Sequence, residues 1–311
     1  MTSLDPAQPI QTLREKVLPY LLLFFMGAAW GLVVSLHKIA TGAGAHPVGL
    51  ALWQVFTGGT VLLIITSFIA RPKRIRLDVI KFSFICGAIG TALPSICLAW
   101  AASELPAGVV SIGLTLMPAS VYGLAVLMKV EAAEPRRLAG LGLGLVGIAL
   151  IVLPKAALPD SSAAPFVGLI VFAAVCFSIE SVYAGGYRPA NASSMQLTCG
   201  RQFAAVVLLT PVAMLTHTAI PVFTEWGPMQ YAATGAGLIT AAAFSTWLYV
   251  INTSGPIFAS QTSYLVTAFG LVWGIVLFDE RHSLYVWGSM CVLMVALTLV
   301  RPRAPKSRLL T

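Results

Sequence analysis

Residues 105–131 of this chain read LPAGVVSIGLTLMPASVYGLAVLMKVE, and residues 255–280 read GPIFASQTSYLVTAFGLVWGIVLFDE. Each segment has a proline at its second position, continues as an apolar run and ends on a glutamate, Glu131 or Glu280. The two prolines lie 150 positions apart and the two glutamates 149, so a single one-residue gap aligns the segments. A repeat of this length predicts a duplicated domain rather than an array of small stacking units.

The repeat continues beyond these segments and divides the chain into two halves. Gly140 and Pro154 bound the next apolar run of the first half, and Gly288 and Pro302 bound its counterpart, both at a spacing of 14. The predicted organisation is a tail at 1–16, a first repeat at 17–154, a linker at 155–164, a second repeat at 165–302 and a basic tail at 303–311.

The composition indicates that lipid surrounds most of this chain. Apolar residues make up 58% of the sequence and charged residues only 10%, less than half of the charged fraction of an ordinary soluble domain. Most of the apolar stretches are long enough to cross about 30 Å of hydrocarbon as helices. We therefore predict an all-α membrane protein with ten transmembrane helices, at roughly 17–40, 47–70, 79–101, 106–128, 137–154, 165–187, 194–216, 230–251, 257–278 and 283–300.

The positions of the basic residues predict the orientation of these helices. When the loops are assigned alternately to the two sides, 15 of the 19 Lys and Arg residues fall on the side of the N-terminus. Cytoplasmic loops carry the positive excess in membrane proteins, so we expect both termini in the cytoplasm and the chain in a plasma or inner membrane. The net charge of +8 then reflects topology and not a nucleic-acid partner. The 15 residues are Arg14, Lys16, Arg71, Lys73, Arg74, Arg76, Lys81, Lys129, Arg136, Arg137, Arg188, Arg301, Arg303, Lys306 and Arg308.

An odd number of helices in each half predicts that the two repeats are inverted. With five helices per half, the second half enters the membrane from the opposite side, which places Glu131 at the cytoplasmic face and Glu280 at the outer face. Inverted repeats are typical of transporters that work by alternating access, with the substrate site between the halves near the middle of the membrane.

Several of these residues resemble a known family. Trp30-Gly31 followed by Lys38, in the run WGLVVSLHK, is similar to the first helix of the EamA family in the drug/metabolite transporter superfamily. Glu131 and Glu280 resemble the glutamate that ends a helix in each repeat of that family. The resemblance spans about 17–302 and implies a ten-helix carrier of small metabolites in the plasma or inner membrane, with amino-acid efflux as a frequent activity.

Two charged residues inside apolar stretches are candidates for the transport site. Glu180 lies eight residues before Arg188, about 12 Å below the cytoplasmic end of its helix, and Arg201 lies seven residues after Ser194, at about 10.5 Å depth on the same side. Ionisable groups inside a membrane are expensive, so each needs a partner or a function. The two residues form a substrate or proton site, with Glu180 as the proton carrier, or an ion pair that only joins two helices; the third alternative is that Arg201 extends alone to the interface.

Alignment of the halves adds candidates at positions where the two repeats differ. Lys38 aligns with Tyr183, Ser35 with Glu180, and Trp53 with Arg201. Lys38 either extends to the outer interface or faces the cavity as a cation for a carboxylate or phosphate. His37 is interpreted as a packed or interfacial histidine, with a proton relay as the alternative. Further candidates for the substrate cavity are aromatic or amide side chains: Trp30, Trp53, Trp100, Gln54, Gln202, Gln261 and Tyr264.

Other classes of function lack their signatures. The aspartates lie in loops or tails, so no aspartyl pair of an intramembrane protease is expected, and the five cysteines have no metal-site spacing. Gly142, Gly144 and Gly147 match a dinucleotide-binding pattern but lack its βαβ context, and we interpret them as a helix-packing surface. We expect no cofactor, no metal and no enzymatic activity.

The sequence therefore predicts a secondary transporter, as a monomer or homodimer, that exports amino acids or related compounds by alternating access. The alternatives are a non-transporting membrane assembly partner and a carrier for a sugar, a nucleobase or a drug-like cation.

Overall fold

Helices make up the described part of the structure, and no strand occurs there. In this computed structural model the described residues are 13–69, 76–127, 133–152, 163–189, 192–221, 223–254, 259 and 262–299. Most of the linker at 155–164 and the tail at 303–311 fall outside these ranges, as do Glu131 and Gln261. The predicted boundaries of the repeats and tails remain predictions.

The helices of the first half follow the apolar stretches. They are α1 (Leu13–Gly42), α2 (Pro47–Ile69), α3 (Leu77–Gly87), α4 (Leu93–Glu104), α5 (Ala107–Gly113), α6 (Met117–Leu127) and α7 (Pro135–Val152). A π-helical turn at Ala88–Ala92 joins α3 to α4, and a 3₁₀ turn at Leu114–Leu116 joins α5 to α6.

The helices of the second half are α8 (Ala164–Gly186), α9 (Ser194–Leu215), α10 (Pro228–Ser254), α11 (Thr262–Phe278) and α12 (Leu284–Leu299). Across the described residues, six helical segments are long and apolar enough to cross a membrane: Val17–Gly42, Pro47–Phe68, Leu77–Glu104, Ala107–Leu124, Ala164–Ala184 and Ser194–Leu215. The molecule is therefore a helical, multi-pass membrane protein. The exact number of ten spans stays a prediction.

The first helix of each half packs mainly against the other half. α1 contacts α10 and α11, whereas α8 contacts α4 and α6. Small residues permit the close approach of α1 and α11, because a Cβ at Gly31 would lie 2.9 Å from the backbone nitrogen of Gly270. α2 packs on α9 and α7 on α12, so every helix pair named here joins the two halves.

The π-helical turn has a local cause in the sequence. Pro94 has no backbone N–H and its ring clashes with the preceding turn, which disfavours regular α-helical geometry directly before it. The helix from Leu77 to Glu104 changes to π geometry at Ala88–Ala92, directly before this proline. This turn lies in the middle of the segment from Leu77 to Glu104. It leaves backbone carbonyl groups available that would accept hydrogen bonds within the helix if the helix were regular.

Candidate substrate cavity

A cavity of about 990 Å³, counting the part that opens to the surroundings, lies between the two halves. Residues of α1, α2, α4 and α6 line it from the first half, and residues of α8, α10 and α11 line it from the second. Much of its wall is aromatic or aliphatic, including Trp30, Phe177, Phe244 and Trp247. The polar side chains on the wall are His37, Gln54, Ser95, Glu180, Ser181, Thr240, Thr262 and Ser263.

Glu180 and Arg201 form a buried ion pair at this cavity. Arg201 Nη1 lies 2.6 Å from Glu180 Oε1, and their side chains are 3% and 4% exposed. Glu180 lies on the cavity wall, whereas Arg201 lies behind it and places its guanidinium 4.1 Å from the centre of the Phe244 ring. The pairing that their similar depth suggested is therefore present.

The irregular turn in the first half completes the surroundings of Arg201. Arg201 Nε donates to Thr91 Oγ1 at 2.9 Å, and Nη2 donates to the carbonyl oxygen of Gly90 at 2.5 Å. In a regular helix that carbonyl would accept the N–H of residue 94, but Pro94 has none. All three guanidinium nitrogens thus have acceptors, on two different halves of the chain.

Gly90 is also a steric requirement of the ion pair. A Cβ at this position would collide with the carboxylate of Glu180. The absence of a side chain at residue 90 lets α8 bring the carboxylate against the π-helical turn, where Arg201 reaches it.

A second polar group on the wall links three helices. His37 Nε2 lies 2.6 Å from Gln54 Oε1, and Gln54 Nε2 donates to Thr240 Oγ1 at 2.9 Å. His37 is 2% and Gln54 4% exposed. This chain of hydrogen bonds joins α1, α2 and α10.

The structure places only some of the predicted site residues on the cavity. Trp30, Gln54 and Glu180 line it, and Arg201 reaches it through Glu180. Tyr183 is not on the cavity wall and stacks instead on Phe82 and Tyr187.

Ser35 and Gln202 are fully buried within the helix packing. Their side-chain polar atoms have no hydrogen-bond partner among the described residues. Gln202 packs against Gly58 and Gly59 of α2.

Lys38 belongs to a separate polar cluster at the end of α1. Its Nζ lies 2.5 Å from Glu280 Oε1 and over the ring of Phe278, and the same carboxylate accepts the N–H groups of Ala107 and Gly108 at the start of α5. His282 Nε2 lies 3.5 Å from Glu280 Oε2, and burial lowers the pKa of this histidine.

The remaining predicted residues lie elsewhere or outside the described ranges. Trp53 donates from Nε1 to Thr234 Oγ1 at 2.9 Å and is partly buried, whereas Trp100 is 39% exposed. Tyr264 is partly buried on α11, and Gln261 is outside the described residues. Among the residues that the structure describes, no group of three acidic, histidine or cysteine side chains is arranged to hold a metal ion.

Two cavity residues were not among the predicted substrate-binding residues: Thr240, which the sequence analysis did not single out, and His37, which it interpreted as packed or interfacial with a proton relay as the alternative. His37 lines the cavity together with Trp30, Val33 and Val34 of the same helix. These positions follow the i, i+3, i+4, i+7 spacing of one helical face. The spacing from Trp30 to His37 is therefore a signal that could have placed His37 on the wall. Thr240 has a similar signal, because Thr240, Phe244 and Trp247 follow the i, i+4, i+7 spacing of one face of α10 and all line the cavity.

Comparison with known proteins matches both halves of the chain to one transporter family. The profile of the EamA-like transporter family matches residues 17–153 and 165–301. Protein PecM of Dickeya dadantii (strain 3937) is 25% identical over 206 residues, 64% of this chain and 66% of PecM, just under two thirds of that protein's length.

A second relative covers more of the chain. The probable terminal-alkyne amino-acid exporter of Streptantibioticus cattleyicolor is 24% identical over 265 residues, 81% of this chain and 86% of the exporter. One protein of known crystal structure superposes with a TM-score of 0.64 at 17% identity, over 92% of this chain and 99% of its own, which indicates a shared fold.

Proposed function

We propose that this chain, which belongs to the EamA-like transporter family, is a secondary transporter. Its proposed activity is the export of amino acids or related small metabolites. The observation that carries the proposal is the cavity between the halves, with a buried carboxylate on an otherwise largely apolar wall. Export would proceed across a plasma or inner membrane with both termini in the cytoplasm, in line with the distribution of Lys and Arg.

Alternating access between two inverted repeats is the proposed mechanism. The cavity takes its wall from helices of both halves, and α1 and α8 each pack on the opposite half. A relative movement of the halves would therefore change the access to the cavity from one side of the membrane to the other. The odd number of predicted helices per half supports the inverted orientation.

The chemistry of the wall supports a small amphipathic substrate. Trp30, Phe244 and Trp247 offer apolar surface, whereas Glu180 and the His37 group offer hydrogen bonds at restricted positions. An amino acid with an apolar side chain combines these two properties. The name of the relative from Streptantibioticus cattleyicolor, a probable amino-acid exporter, adds weight to this choice.

Glu180 is the proposed proton carrier. It is buried, faces the cavity and has Arg201 as its partner, so gain of a proton would weaken the ion pair and change the charge of the wall. Coupling to protons would use this change to link the filling of the cavity to the movement of the halves.

Transport by the purified protein in liposomes tests the proposal. We expect flux of labelled L-phenylalanine or L-leucine that increases with an imposed pH gradient. Glu180→Gln should lower the flux about tenfold or more, as loss of a charge-assisted contact of about 1.5–3 kcal/mol implies, and should abolish the response to the gradient. Glu225→Gln, at an exposed loop carboxylate, is the matched control.

Three outcomes would contradict parts of the proposal. If the protein transports other solutes but no amino acids, the proposed substrate class is wrong. Unchanged flux and pH response in Glu180→Gln would remove the proton role. Absence of flux for every solute in a broad panel, by folded protein, would favour the assembly partner.

A further inference from the structure

The hydrogen bonds of His37 define which of its ring nitrogens carries the proton. Gln54 Nε2 donates to Thr240 Oγ1, so the amide oxygen of Gln54 faces His37. An amide oxygen only accepts, and His37 Nε2 must therefore donate to it. In the neutral ring, Nδ1 then carries the lone pair and is a hydrogen-bond acceptor.

That acceptor is left without a protein donor. His37 Nδ1 is buried and has no hydrogen-bond partner within the described part of the chain. Leaving a buried acceptor unsatisfied is unfavourable, and native structures usually supply a partner. Because His37 is a residue of the cavity wall, we take a molecule in the cavity as the source of the missing donor.

The neighbouring side chains indicate the kind of donor. Trp30 lies two turns before His37 on the same face of α1, and Phe244 meets the Trp30 ring edge to face at 5.3 Å. Aromatic faces attract cations. Arg201 already pairs with Glu180 and lies against the Phe244 ring from behind the wall, but no Lys or Arg side chain is among the described residues of the wall itself, so the Trp30 ring meets no protein cation there. A positively charged N–H donor suits these surroundings better than a neutral hydroxyl.

We propose that His37 Nδ1 accepts a hydrogen bond from the amino group of the transported solute, with Gln54 and Thr240 holding the ring in the accepting tautomer. The site would then recognise an organic ammonium group attached to an apolar body. This inference rests on the proposed function and deepens it, since it names the solute group that the wall of α1 binds.

Two substitutions separate the acceptor from the rest of the ring. In His37→Gln the amide nitrogen takes the place of Nε2 and retains the contact with Gln54, but the acceptor at Nδ1 is lost. In His37→Asn the amide oxygen takes the place of Nδ1 and retains an acceptor, but the contact with Gln54 is lost. His217→Gln and His217→Asn are matched controls, because His217 is exposed in the turn after α9.

Binding to the purified full-length chain, read by tryptophan fluorescence, uses three probes that share a phenyl ring. Phenethylamine carries only an ammonium, 3-phenylpropionate only a carboxylate, and L-phenylalanine both. We expect the wild type to bind phenethylamine more tightly than 3-phenylpropionate. His37→Gln should weaken phenethylamine binding about tenfold or more, His37→Asn about threefold or less, and the His217 variants not at all.

The proposal is overturned if phenethylamine does not bind the wild type, or if 3-phenylpropionate binds more tightly. It is also overturned if His37→Gln binds like the wild type, or if folded His37→Asn loses as much affinity as His37→Gln. Flux assays decide the proposed function separately: amino-acid transport with unchanged binding in His37→Gln refutes this inference alone. Binding of phenethylamine as expected, without amino-acid flux, refutes the amino-acid export proposal and leaves the inference standing.

Discussion

Removal of Glu180 tests how strongly the buried ion pair between α8 and α9 stabilises the folded protein. In Glu180→Leu, Arg201 keeps two neutral acceptors, Thr91 Oγ1 and the Gly90 carbonyl, and its contact with the Phe244 ring. Its charge would then be buried without a counter-charge, since the side chain is 3% exposed. Breaking such a pair from one side costs about 3–5 kcal/mol of folding free energy.

The reciprocal change and the double variant complete the test. Arg201→Met leaves the Glu180 carboxylate buried without a partner and should lower the free energy of unfolding by a similar amount. The double variant Glu180→Leu/Arg201→Met has no buried charge left, and apolar replacement of a whole pair is often neutral or stabilising. We therefore expect the double variant to be at least as stable as either single variant, with a coupling free energy of about 3 kcal/mol or more.

The measurement is reversible unfolding in mixed detergent micelles, followed by tryptophan fluorescence. Glu225→Leu, at an exposed position, controls for loss of a solvated carboxylate and should change the free energy of unfolding by less than about 0.5 kcal/mol. If the two single effects add within about 0.5 kcal/mol in the double variant, the pair is not coupled and the reasoning fails.

Two further predictions concern other contacts. Gly90→Ala places a Cβ against the Glu180 carboxylate and should lower the free energy of unfolding by about 1–3 kcal/mol. Gly168→Ala is the control, because its Cβ would meet open space and should not lower the stability. Equal thermal stability of the two variants would contradict this prediction. Burial lowers the pKa of His282 in the folded chain, so protonation favours the unfolded state and stability should fall as the pH drops below about 6.5, the unfolded value. His282→Gln should remove that part of the decline in a series of melting temperatures from pH 7.5 to 5, and an unchanged acid slope would refute the assignment.

Local patterns in the sequence were sufficient for the helices and for one charged contact. The length and composition of the apolar stretches predicted the helical membrane class, and depth along two neighbouring helices predicted that Glu180 meets Arg201.

Contacts between distant segments could not be inferred in this way. Lys38 was expected either at the interface or in the cavity, and the structure pairs it with Glu280, 242 residues away. Glu280 had only its position at a helix end to indicate a role, and nothing local shows that it binds the first turn of α5. His37 was interpreted as packed or interfacial, because hydropathy alone does not distinguish a helix face on a cavity from a face in the core; only its spacing from the cavity candidate Trp30 pointed to the wall.

The separation of Lys38 and Glu280 has a consequence for the order of synthesis. At about 5–20 residues per second, the 242 residues between them take about 10–50 s to make. During this interval α1 is already in the bilayer with Lys38, whereas its partner Glu280 has not yet been synthesised. A lysine tolerates the delay, because its long stem lets the ammonium reach the aqueous interface. A shorter acidic side chain at the same position could not reach the aqueous interface. Synthesis of the lysine before the glutamate therefore avoids an unpaired charge inside the bilayer.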